Sequence, residues 1–230
     1  MGSRYGCVLG HWPVYGASMP LRPAVASIFQ ELSRQYEGEV PTMYLDCKGL
    51  VTVGVGNLVD PVSEACRLPF VRADGTPATQ AEIAAEWRTL KCKPELARQG
   101  YRVAAAWCKL HLTEEGIGTL VQAKLAANWA FMVKTYPAFK NADQWPAAAQ
   151  LAASLMAWAV GAGFPGIFKN WSACAAKADW NGCAETSTIN ATGNPGVIPR
   201  NKAVAALFRL AAIQPLEDYD KLVVSAELAS

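Results

Sequence analysis

The chain changes its hydrophobic period abruptly near residue 37, and that change constrains the fold more than any other feature. Val25, Ile28, Phe29, Leu32 and Tyr36 recur at helical spacing and form one apolar stripe. Pro23 suits the first turn of such a helix, and Gly38 followed by Pro41 stops it. Two short β-rich runs come next, Thr42 to Asp46 and Leu50 to Val55, with Lys48-Gly49 in the connection. That arrangement predicts a hairpin. Gly54 and Gly56 inside the valine run predict a bend or a close backbone approach in place of a smooth strand. Any fold for this chain has to set a helix C-terminus against a small β ribbon.

Beyond the ribbon the pattern is helical. Asp74-Gly75-Thr76-Pro77 marks a turn. Thr79 caps a predicted helix from about Gln80 to Lys91, with Ile83 and Trp87 on one face. Cys92 to Lys109 has mixed polarity. Thr113-Glu114-Glu115 opens a long helix, its acids placed at the positive end of the dipole, with Ile117, Leu120, Val121, Leu125 and Met132 on a shared face. A helix from about Pro146 to Val160 is apolar nearly all round, which predicts a central core helix, and Gly161-Ala162-Gly163 ends it. Short helices are expected around Phe168 to Lys177 and Trp180 to Thr186. Pro199 opens another, with Val204, Leu207, Phe208 and Ala211 buried, and Leu216 to Ala229 reads as a terminal helix. Residues 1–20 carry Gly, Pro and aromatics with no period and read as an irregular extension. The expected fold class is α+β, mainly helical. One domain covers 21–230, with a small β-hairpin lobe over about 37–110, a larger helical lobe over about 111–230, and a cleft between them.

Composition excludes several function classes. The formal net charge is +2 and there is no run of Lys or Arg, so a phosphate-tracking nucleic-acid surface is not expected. Seven cysteines are scattered singly, without a Cys-x-x-Cys. Cys108-x-x-His111 is a lone pair in a chain with two histidines, so no metal site is expected. The thiols fit small buried apolar residues, or partners in disulfides if the protein works in an oxidising compartment. The longest uncharged stretch, Gln144 to Phe168, is broken by Pro146, Gln150, Gly161, Gly163, Pro165 and Gly166, so no membrane span is expected. The first thirty residues lack a basic start followed by an apolar core, so no cleavable signal peptide is expected.

Glu37 sits at the C-terminal end of the first stripe. A carboxylate there meets the negative end of the helix dipole, at a cost of about 0.5 kcal/mol when exposed. The same field favours the protonated form that a general acid needs at neutral pH. Asp46 ends the first β run, and Thr52 in the second brings a hydroxyl back across the hairpin. Taken singly, each also fits a bland role: a solvated Glu, a turn Asp, a strand Thr. Taken together they offer an acid on one side of a cleft and a carboxylate plus hydroxyl on the other, able to hold a water. That is the chemistry of glycoside hydrolysis with inversion.

The pattern Glu37-x8-Asp46-x5-Thr52, with Tyr44, Gly49, Gly54 and Gly56 in place, resembles the phage-type lysozymes, glycoside hydrolase family 24. Leu112-Thr113-Glu114-Glu115 is similar to the start of that family's long helix. Met156-Ala157-Trp158-Ala159-Val160-Gly161 is similar to its central helix, and Asp179-Trp180 and Pro199-Arg200 through Leu207-Phe208 to its C-terminal segments. The resemblance covers about 23–58 and 112–210. It implies a lysozyme-like two-lobed fold and a muramidase that needs no cofactor. Glu37 would be the general acid, Asp46 would assist the water or the developing cation, and Thr52 would position the water. Arg200 would orient the acid, and Asn57, Leu58 and Trp158 would bind substrate.

The implied partners are peptidoglycan glycan strands, with an immunity or inhibitor protein as a further one. The implied state is a monomer acting on the cell wall, delivered by a secretion system or a phage holin. The chain also departs from the family. Asn57 stands where His is usual, Ala159 replaces the usual amide, and 59–111 has no clear equivalent. A lytic transglycosylase and a non-catalytic peptidoglycan-binding module are the alternative readings.

Overall fold

The computed structural model describes residues 21–222, with the side chain of Glu37 outside that description. The extension expected over 1–20 therefore lies outside the described residues. Helix α1 (Pro23–Glu37) starts with Pro at its first position and stops at Gly38, whose φ of 69° a residue with a Cβ rarely adopts. Strands β1 (Val40–Leu45), β2 (Val51–Gly54) and β3 (Asn57–Leu58) form an antiparallel sheet in the order β1-β2-β3. The expected hairpin is therefore joined by a third, two-residue strand. It exists because Gly54, at φ 67°, turns the chain back sharply.

The stretch after the sheet is ordered and packs on it. It contains α2 (Val62–Ala65), β4 (Phe70–Val71), α3 (Gln80–Lys91), α4 (Tyr101–Ala105) and β5 (His111–Leu112). Strands β4 and β5 pair antiparallel, so the two ends of this segment are stitched together. Thr79 caps α3 with a reciprocal capping box to Glu82, as the sequence predicts. Helix α4 and β5 lie against β1, one of the two edge strands of the three-stranded sheet.

The helical body follows. Thr113 caps α5 (Glu114–Thr135), and α6 (Ala147–Val160) is buried along twelve consecutive residues, Ala147 to Trp158. The alanines of α6 present a thin surface, and α10 (Val197–Ile213), α1 and α5 pack around it. Between them run α7 (Phe164–Ile167), α8 (Lys169–Ala175) and α9 (Trp180–Thr186). One end of the body is an aromatic cluster. Phe139 lies 5.4 Å from Trp129 and 4.9 Å from Trp145, and Trp171 lies 4.7 Å from Phe164. Trp180 stacks on Phe208 at 6.3 Å with the rings nearly parallel. The fold is α+β and mainly helical, and no described helix is long and apolar enough to cross a membrane.

Two expectations change. The thiols of Cys47, Cys66, Cys92, Cys108, Cys174 and Cys183 are all free, so the described residues hold no disulfide. The terminal helix does not form over 216–222, where a single 3-10 turn spans Leu216–Asp218; its expected continuation over 223–229 lies outside the described residues. The reason is local. The Gln214 side chain donates to the carbonyls of Asp218 and Lys221, and the Tyr219 carbonyl accepts from the Ala147 N–H at the start of α6. Those carbonyls are diverted from a helical ladder to tie the chain down.

The packing predicts two grades of damage. Trp171→Ala, which empties the aromatic cluster, should destabilise the fold by about 3–5 kcal/mol. Thr79→Ala, which removes a cap on an exposed helix start, should cost about 1 kcal/mol. Urea unfolding of the two variants beside the wild type measures both.

Candidate active site

The small sheet has two unlike faces. Met43 and Leu45 of β1 and Val51 and Val53 of β2 are buried in the core. Strand alternation sends their neighbours the other way. Tyr44 pairs directly with Thr52, and Thr52 with Leu58, so these three side chains share the face turned from the core. Asp46, one step past β1, follows the same alternation as Tyr44. Two residues of the sequence-predicted triplet, Asp46 and Thr52, are thus brought to one face. Leu58, half exposed, lies beside them.

Asp46 is held firmly. Its Oδ1 accepts hydrogen bonds from the backbone N–H of Lys48 at 2.8 Å and of Leu50 at 2.9 Å. Both bonds belong to the turn itself, as Asp at a turn start favours. They fix the carboxylate's direction, and among the described residues Oδ2 has no hydrogen-bond partner. The Thr52 hydroxyl is nearly buried and lies 3.4 Å from the Leu50 carbonyl, a long contact that leaves it able to rotate.

The third residue, Glu37, ends α1 with its side chain outside the described residues. Its setting is described. Arg200 of α10 is only 6% exposed, and its guanidinium lies 5.4 Å from the centre of the Tyr36 ring, one residue before Glu37. Burial raises the Tyr36 phenol above its ordinary pKa, and the Arg200 charge opposes that. An arginine that sequence alone cannot tell from a surface residue is therefore buried against the end of α1.

Asn57 and Trp158 have a different placement from a ligand-facing one. Asn57 pairs with Val53, so it points to the core side and is 1% exposed. Its Oδ1 accepts from the Val55 N–H at 3.3 Å, and among the described residues its Nδ2 has no hydrogen-bond partner. Trp158 is 9% exposed, and its indole N–H donates to the Val55 carbonyl at 3.0 Å. Phe29 packs edge-on against Trp158 at 5.1 Å. Lys124 of α5 completes the clamp. It donates to the Gly56 carbonyl at 3.3 Å and lies 4.7 Å over the Trp158 ring. Three side chains thus hold the bend at Gly54, Val55 and Gly56 against the helical body. A Cβ at Gly54 would come within 3.1 Å of the Asn57 Oδ1, so this position needs glycine for space as well as for φ.

The segment over 59–111 buttresses the same ribbon. Lys91 donates to the Gly49 carbonyl and to Asp60, both at 2.8 Å. The Trp87 indole donates to the Val59 carbonyl at 3.0 Å, and the Cys108 thiol to the Met43 carbonyl at 3.1 Å. A cavity of about 1230 Å³ opens beyond the start of β1, lined by Thr42, Glu86, Thr89, Trp107 and His111 among others. It lies away from the Asp46 end of the strand.

Glu86 is buried beneath this cavity. Desolvation raises its pKa, opposed by the backbone N–H groups of Lys109 and Leu110, which donate to Oε2 at 2.6 and 3.2 Å. Burial, with the Glu86 charge beside it, pushes the Cys108 thiol up to about 12, so it stays protonated. Sequence reasoning missed Lys124, Lys91 and Glu86. Only Glu86 carries a signal: it lies between Ile83 and Leu90 on the apolar face of α3.

Two outcomes follow from this geometry. Trp158→Phe keeps an aromatic ring but removes the N–H and part of the buried indole, leaving the Val55 carbonyl without this donor, and should cost about 1–3 kcal/mol of stability by urea unfolding. Glu86 has a folded-state pKa above its ordinary value of 4.5, so it binds its proton more tightly folded than unfolded. Its contribution to stability is full below 4.5 and is lost as pH rises through the folded pKa. Glu86→Gln, which keeps an acceptor for the two N–H groups, should flatten that part of the stability–pH curve measured between acid and neutral pH.

No protein-family model matches the chain, and no curated protein matches it either.

Proposed function

We propose that the protein is a peptidoglycan hydrolase of the muramidase type. It would cleave the β-1,4 bond between N-acetylmuramic acid and N-acetylglucosamine and act on the bacterial wall. The observation that carries this reading is the shared outer face of β1 and β2, which brings together the directed Asp46 carboxylate and the Thr52 hydroxyl in the strands that follow α1, the helix ending at Glu37. The motif Glu37-x8-Asp46-x5-Thr52, and the buried Arg200 beside Tyr36, support it further.

In this mechanism Glu37 protonates the leaving glycosidic oxygen, and Arg200 is the cation set against it. Asp46, through its open Oδ2, draws a proton from a water that the Thr52 hydroxyl holds on the opposite face of the sugar ring. The water adds to the anomeric carbon as the glycosidic bond breaks, inverting the configuration. The glycan strand runs along the outer face of the sheet past Leu58. Asn57 and Trp158 act on the substrate indirectly, by fixing the bend that carries Thr52 and Leu58. A wall-degrading protein of this type would be paired with an immunity or inhibitor protein wherever its own producer is at risk.

Glu37→Gln should abolish clearing of purified peptidoglycan in a zymogram while leaving the unfolding midpoint within error. Asp46→Asn keeps the acceptor for the turn N–H groups and so should keep the fold, yet it should lower the hydrolysis rate by about 10²–10⁴-fold. Full activity in Glu37→Gln would remove the acid assignment. Mass spectrometry of the products separates the nearest alternative. Reducing muramic ends mean hydrolysis, whereas anhydro ends mean a lytic transglycosylase, for which Asp46 and Thr52 have no water to activate.

A further inference from the structure

Tyr101, the first residue of α4, is 43% exposed and belongs to the segment with no family equivalent. Its ring meets Tyr44 edge-on, with centroids 6.3 Å apart. Tyr44 pairs directly with Thr52 on the outer face of the sheet, and side chains opposed in this way have Cβ atoms about 5 Å apart. The aromatic pair therefore continues the face that holds Asp46 and Thr52, and Tyr101 is its outer member.

The platform is rigid. Ala104 anchors α4 in the core, and the Cys108 thiol just after the helix is bonded to the Met43 carbonyl of β1. An exposed aromatic ring on a short helix anchored at its C-terminal end, and itself packed edge-on against Tyr44, loses little entropy when a ligand covers it. Trp107, the other exposed aromatic here, has the Lys93 ammonium 3.8 Å over its ring, so one of its faces is already taken. Tyr101 also has a cation over one face of its ring, the Arg102 guanidinium, but farther off at 5.8 Å, and Tyr44 lies at its edge. It offers a ring face for the apolar C–H surface of a sugar and a phenol for its hydroxyls.

We propose that Tyr101, seated on Tyr44, is a sugar-stacking platform that binds a pyranose ring of the glycan strand beyond the pair flanking the scissile bond. This inference rests on the muramidase reading and deepens it. Its consequence is selectivity for strand length, supplied by a segment outside the catalytic motif.

The test uses peptide-free glycan strands of two lengths, a tetrasaccharide and an octasaccharide of the wall repeat. Binding is measured by calorimetry with Glu37→Gln as the background, and KM and kcat are measured with Glu37 intact. Tyr101→Ala should lower the octasaccharide-to-tetrasaccharide affinity ratio about tenfold, the size of one aromatic contact. It should raise KM for the octasaccharide and leave kcat in place, and Tyr101→Trp should restore the ratio. An unchanged ratio overturns the proposal, as does failure of both strands to bind. If the strands bind with the expected ratio change but the protein with Glu37 intact releases no product, the platform stands and the muramidase reading falls.

Discussion

The hydrogen bond from the Trp158 indole to the Val55 carbonyl joins residues 103 positions apart, and the rest of the site depends on it. A two-stranded hairpin is marginal in water, and the two-residue β3 adds little to it, so this ribbon relies on packing against helices. Here its sharpest bend is fastened to the central helix by Trp158, to α5 by Lys124, and internally by Asn57. Phe29 of α1 packs on the same indole, so the helix that ends at Glu37 and the turn that follows Thr52 share one support. Distances across the outer face of the sheet are set by the helical body and not by the ribbon alone.

Much of this was legible in the sequence, and the reasons are physical. Helices α1 and α5 are long enough for a 3.6-residue period to stand out, α6 is legible because it is apolar nearly all round, and their starts carry a Pro or a Thr cap. Gly54 and Gly56 betray the bend because few other residues accept those dihedrals. Strand β3 is two residues long and has no period to read. Arg200 illustrates a different limit. Its burial against Tyr36 comes from a tertiary contact more than 160 positions away in the chain, which no local pattern records. Asn57 looks ligand-facing in the sequence, from its place beside the catalytic motif. Its orientation is set by pairing with Val53, and a one-residue difference in register would have turned it outward.

The segment over 59–111 was the least readable, since apart from α3 its elements are only two to five residues long and carry no period. Its role in the fold nonetheless comes down to a few contacts with the ribbon. Lys91 holds the Gly49 carbonyl of the turn that orients Asp46, and Trp87 holds Val59 just past β3. Each donor comes from a residue that looks ordinary on a surface helix. Their meaning lies in what they reach, which is why geometry found them and spacing did not.

The cover that α4 and β5 place over β1 bears on behaviour in concentrated solution. A bare edge strand is a row of unpaired peptide groups on which a second chain can build, the first step of sheet-to-sheet association. In this protein the Met43 carbonyl of β1 is already occupied by the Cys108 thiol, and α4 and β5 pack against the same strand. The segment that shapes the site also hinders the β1 edge from serving as a template for assembly.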